Sequence, residues 1–229
     1  MAKQMYSVQQ AVAEIVADKQ QCIQYAKRLA ASRKYRQAIN KLDRFRKNVF
    51  FKPVSWKSKH DNEFLIMLGV SSKADARSNG IFLIFVMLFN LDGRLYAATI
   101  NEQDDGPKVD IYKHHFFKRY NERFLKQPEL DIKDVIAIFI RANTHNMYKK
   151  MESKKFQDSY AFIYPDGVGF GNYYVKKNYC IHNTFVTRMM LYKNQSEMTE
   201  DLQEFISDIS TKSWAEIRDS NVFNYQKYY

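Results

Sequence analysis

The run Ile81–Asn90 (IFLIFVMLFN) is the feature that most narrows what this chain can become. It is apolar without alternation, so it predicts a strand covered on both faces rather than one with a wet side. At ten residues it is half the ~20 that a membrane-crossing helix needs. A second strand is expected at Glu63–Val70, before a polar turn or loop from Ser71 to Gly80. Asp92-Gly93 is the strongest hairpin signal in the chain and returns a third strand over Arg94–Ile100. Downstream, Ser159–Tyr164 and Val168–Val175 flank the turn Pro165-Asp166-Gly167, and Tyr179–Tyr192 reads as the last strand.

Helical periodicity occupies the remainder. Residues Met5–Asn48 lack Pro and Gly and repeat apolar side chains every three or four positions, giving one long helix or two with a bend near Ala31-Ser32. Asp110–Phe139 reads as two helices broken at Gln127-Pro128, and Glu197–Asp208 as an acidic amphipathic helix after Ser196. Arg141–Lys155 is a helical extension or a linker. The expected fold is α+β: a long N-terminal helix, antiparallel sheet or sheets with a central two-helix unit, and a C-terminal helix. The expected divisions are a basic helical arm (1–52), a core domain (53–210) and a tail (211–229).

Charge points to a partner class. The 36 Lys and Arg against 25 Asp and Glu give a net +11, which favours a polyanion, nucleic acid first. Twelve Lys or Arg lie between Lys27 and Lys59 against the single acid Asp43. Within that run Lys27, Arg28, Arg33, Lys34, Arg36, Lys41, Arg44, Arg46 and Lys47 are candidate phosphate contacts. The same helix is an alternative surface for a protein partner. Cys22 and Cys180 build neither a disulfide framework nor a zinc site, so a cytoplasmic location is expected. No secretory signal, HExxH or G-x-S-x-G occurs, and no metal or other cofactor is expected. The acidic stretch with Glu102, Asp104 and Asp105 lacks the ligand repeat of a calcium loop and reads as a solvated loop.

His115, Arg119 and Arg123 recur every fourth residue and so share one helix face, beside the apolar stripe Phe116, Phe117, Tyr120 and Phe124. An imidazole can move protons near neutral pH, and guanidiniums bind phosphate. Strand alternation would put His182, Thr184 and Arg188 on one face, opposite Ile181, Phe185 and Met189, as candidates to meet the helix across a cleft. Tyr120 or Tyr164 would place a base by stacking.

The spacing His115-x3-Arg119-x3-Arg123, with Asp131-Ile132-Lys133-Asp134-Val135 after it, resembles RelE- and BrnT-like ribonuclease toxins over Tyr112–Tyr192. The resemblance implies RNA as substrate and a metal-independent endoribonuclease activity. In that reading His115 is base or acid, and Arg119 and Arg123 stabilise the phosphate. The alternatives are a non-catalytic nucleic-acid-binding protein and an interaction or inhibitor module. The oligomeric state is open.

Overall fold

The computed structural model describes residues 2–41, 49–70, 81–103, 106–144, 146–151 and 159–211. Short β1 (Lys3–Gln4) leads into α1 (Val8–Ala30) and α2 (Arg33–Lys41). Ser7 caps α1 by accepting from the Gln10 amide at 3.1 Å. The chain bends at Ala31-Ser32, so of the two expectations, one long helix or two with a bend there, the second is the one found. Next come β2 (Val49–Phe50), β3 (Val54–Lys57), β4 (Glu63–Val70), β5 (Ile81–Leu91), β6 (Arg94–Gln103) and β7 (Gly106–Tyr112). Helix α3 (His114–Tyr120) runs into a π-helical turn (Asn121–Leu125), and α4 (Ile132–Ala142) follows. The chain then forms β8 (Met147–Lys150), β9 (Ser159–Tyr164), β10 (Gly167–Tyr174), β11 (Tyr179–Val186) and α5 (Lys193–Thr211).

One sheet carries all the described strands, in the order β2-β4-β5-β6-β7-β11-β10-β9-β8, with β3 on β4 and β1 on β5. It is two antiparallel meanders joined side by side. The join between β7 and β11 is parallel (Val109↔Tyr179 to Tyr112↔His182), as is β1 on β5, so the sheet is mixed rather than wholly antiparallel. A parallel join needs a long crossover, and α3, α4, β8, β9 and β10 supply it. Asp92 and Gly93 both have positive φ (51° and 69°), as a two-residue hairpin of the favoured twist requires.

Both faces of the second half of β5 are covered, which accounts for the apolar run from Val86 onward, whereas Ile81–Phe85, beyond the pairing with β6, are only half-buried. Val86 and Leu88 pack under α3 and α4 with Phe117 and Ile136, whereas Met87 and Phe89 pack under α1 with Ile15 and Cys22. The N-terminal helix is therefore a layer of the core and not a separate arm. Ala11, Ile15, Cys22, Ala26 and Tyr35 are buried against the sheet. Helix α5 closes the second meander, with Ile206 buried among Ala161, Ile163 and Val168.

Strand β7 departs from the sequence expectation, which has an acidic loop followed by the start of a helix over these residues. Alternation is present, Val109 and Ile111 against Lys108 and Asp110, but the charged pair is buried as well. The last strand also differs from expectation. It ends at Val186, and Arg188–Met190 form a 3-10 turn. Its register slips between Phe170↔Thr184 and Gly171↔His182, leaving Asn183 as the extra residue of a bulge. Side chains beyond it change face: Cys180 and Phe185, five apart, both pack under α3. Thr184 and His182 consequently face opposite ways.

Gly171 sits at that bulge, where an added Cβ would collide with the Ile181 carbonyl of the neighbouring strand. Gly171→Ala is expected to cost about 1–3 kcal/mol through forced backbone shifts, read as a lowered urea midpoint. An unchanged midpoint would show that the bulge is not tightly packed.

Candidate functional site

Helix α3 forms because Phe116, Phe117 and Tyr120 give it one fully buried face, around which Tyr112, Phe139 and Phe185 close. The opposite face carries the row. His115 is exposed, and Arg119 donates to its Nε2 at 3.3 Å while forming an ion pair with Glu122 at 2.7 Å. That carboxylate offsets much of the Arg119 charge. Partial burial, then the charges of Arg119 and Arg123, hold the His115 pKa below the usual imidazole value.

After Tyr120 the helix widens into the π turn, which ends at Lys126 in the left-handed conformation (φ 56°). The Asn121 side chain clamps this end, donating to the Gln127 carbonyl at 2.8 Å and accepting from its amide at 3.1 Å. The turn directs Arg123 at the end of β11, where its Nη1 donates to the Phe185 carbonyl. It also lays Phe124 flat on buried Tyr120, with centroids 5.3 Å apart and planes at 17°. Arg123, Phe124 and Lys126 then line an open cavity of about 330 Å³ with Pro165, Asp166, Thr187, Arg188 and Met189. Arg188 donates weakly to the Pro165 carbonyl (3.4 Å), and its Nε is buried without a partner among the described residues. Asp166 is fixed in the wall: its Oδ2 accepts from Tyr120 Oη at 2.7 Å and Asn143 Nδ2 at 2.8 Å.

The helix and the end of the last strand thus converge, but through Arg123 and Arg188 only. His182 is fully buried, stacked on Tyr112 at 4.3 Å, with Nε2 3.1 Å from Asp110 Oδ1 and Nδ1 2.7 Å from Tyr164 Oη. A polymer on the surface cannot reach it. Tyr120 and Tyr164 have no exposed surface either, which removes both from base stacking. Thr184 lies across the sheet from His182 because of the bulge.

Of the proposed phosphate contacts near the N-terminus, Lys27, Arg28, Arg33, Lys34, Arg36 and Lys41 are exposed. They sit on the layer that covers the sheet face opposite α3, so their charge does not join the row. Arg36 is partly engaged, with Nε and Nη2 donating to the Ala31 carbonyl at 3.0 and 2.7 Å. Arg44, Arg46, Lys47, Asp104 and Asp105 lie outside the described residues.

Sequence reasoning missed Lys126, Asp166 and the exposed role of Phe124. The turn Pro165-Asp166-Gly167 is legible as a turn, but nothing local shows that Pro165 and Asp166 share a cavity with Arg123, Phe124 and Lys126. Among the described residues no cluster of His, Cys, Asp or Glu could hold a metal ion, and no helix is long and apolar enough to cross a membrane. Comparison with protein-family models, curated proteins and solved structures found no match to this chain.

Burial, against the pull of Asp110, holds His182 below the usual imidazole pKa and so favours the neutral ring in the folded protein. Its Nε2–H then donates to Asp110, and Tyr164 donates to its Nδ1. Burial raises the Asp110 carboxyl, but Lys108 at 3.7 Å and His182 outweigh it and leave the group below its ordinary value. Both folded-state values are depressed, so the unfolded chain binds more protons in acid. His182-linked stability should be complete above pH about 6.5 and fall as pH drops below that. Asp110 adds a further loss below pH about 4. Urea midpoints measured from pH 7.5 to 4 check this. In His182→Gln the first decline should shrink to the smaller part left by half-buried His114 and by His115, whose pKa values are also lowered, and a wild-type midpoint flat from pH 7 to 5 would contradict the assignment.

Proposed function

We propose that this protein binds a single strand of nucleic acid, holding its phosphates at the cavity between the π turn and the end of β11, without cutting it. The observation that carries the reading is the convergence of Arg123, Lys126 and Arg188 on one open cavity that holds a single acid. Guanidiniums suit phosphate oxygens because they donate from a fixed fork, and Lys126 adds a point charge. Phe124, 42% exposed, offers a ring face to a base, which is how sequence-tolerant single-strand binders gain affinity. A single strand is favoured because its bases can splay into a recess of this size. RNA is preferred on the likeness of the His115–Arg123 row to ribonuclease toxins.

Cleavage is less well supported than binding. In-line attack needs a base and an acid within hydrogen-bond reach of one phosphodiester. His115 lies eight residues, ~12 Å of helix rise, from Arg123, and the second imidazole is sealed in the core.

Fluorescence polarisation with labelled single-stranded RNA and DNA over a salt series tests the reading, with gels run in EDTA beside it. Binding should weaken steeply with salt, and Arg123→Ala/Arg188→Ala should lower the log–log slope by about 1.4, since each single-strand phosphate contact contributes ~0.7. Neutralising Lys27, Arg28 and Lys34 should change it far less. Unaltered binding by the double variant would overturn the site, and strand scission lost in His115→Ala would replace binding by catalysis.

A further inference from the structure

We propose that this cavity also reads the base beside the held phosphate, selecting one that carries an exocyclic amino group, through Oδ1 of Asp166. This rests on the reading of the cavity as a nucleic-acid site. Asp166 is the one acid among the lining residues, and a carboxylate there works against anion binding. Its position is nevertheless over-determined. Besides the two bonds to Oδ2, its backbone amide donates to Asn143 Oδ1 at 3.1 Å, so Asn143 grips both the main chain and the side chain. Tyr120 holds it from the other side. The result is a fixed carboxylate with one oxygen fully used and the other, Oδ1, without a partner among the described residues.

An oriented acceptor beside a cationic cluster fits a ligand that is anionic at one end and a hydrogen-bond donor at the other. A nucleotide with an amino-bearing base has that form: the phosphate meets the guanidiniums, the ring lies on Phe124, and the amino group donates to Asp166. Phe124 is suited to the stacking because it rests on Tyr120, the same residue that orients the carboxylate, so platform and acceptor are held in register. Uracil presents a carbonyl where cytosine presents an amino group, and a carboxylate repels it. The two pyrimidines are equal in size, so they isolate this one contact.

The test is polarisation of fluorescein-labelled oligocytidylate and oligouridylate of equal length, at pH 7.5 and fixed salt, with the full chain. Wild type should bind the cytidylate about tenfold more tightly, the scale of one charge-assisted hydrogen bond. Asp166→Asn keeps an oxygen for Tyr120 and Asn143 and replaces the open acceptor by a donor. The ratio should therefore fall to unity or invert, with uridylate binding improved. Phe124→Leu should weaken both oligonucleotides while preserving the ratio. Equal wild-type affinities, or a ratio unchanged by Asp166→Asn, would overturn base reading while leaving the phosphate site intact. Absence of binding to either oligonucleotide would remove both together. If Asp166→Asn fails to fold, the wild-type ratio still decides.

Discussion

The parallel contact between β7 and β11 is the constraint on which the rest of this structure depends. Two antiparallel meanders close to form one sheet there, and only a crossover of helices and strands can connect strands running the same way. That crossover brings α3 over the seam and sets its far end beside the turn between β9 and β10. The seam is fastened by a buried polar chain, Lys108 to Asp110 to His182 to Tyr164, with Asn101 also donating to Asp110. Lys108 is kept within the core by its partner and by the faces of Tyr148 and Tyr173, 4.3 and 5.2 Å from its Nζ. Such a chain fixes register, because sliding β11 past β7 by a residue would part His182 from Asp110 and leave both buried polar groups short of a hydrogen-bond partner.

Much of this was legible in the sequence. Glu63–Val70 and the Asp92-Gly93 hairpin could be read because burial and turn chemistry there are local properties. The bend at Ala31-Ser32 and the break at Gln127-Pro128 were legible for the same reason. β7 was hidden because its charges resemble a solvated loop until Lys108 and Asp110 are seen to neutralise one another inside the core. The bulge at Asn183 was hidden because alternation predicts faces only while the register holds. It sets His182 and Thr184 on opposite faces, and the end of the strand at Val186 puts Arg188 in a 3-10 turn, so the expected row of three is not formed.

The candidate site shows the same division. The fourfold spacing of His115 and Arg119 is a property of the helix and survives in the fold, whereas Arg123 falls in the π turn. Where the row leads depends on the π turn, a local widening with no clear signature in the residues that form it. The turn sends Arg123 towards Arg188 and lifts Phe124 out of the core stripe in which periodicity had put it. The basic helices near the N-terminus, by contrast, are consumed as a packing layer and present their charge to the other side of the sheet. Two positive surfaces result, on opposite sides of the sheet.

The claim that matters most is that the cavity at the end of β11, and not the basic α1–α2 layer, holds the nucleic-acid strand. Ultraviolet cross-linking of the protein to a single-stranded RNA carrying photoreactive bases, followed by peptide mass spectrometry, tests it directly. The account predicts adducts on peptides containing Arg123–Lys126 and Thr187–Tyr192. Adducts confined to peptides containing Lys27–Lys41 would contradict it.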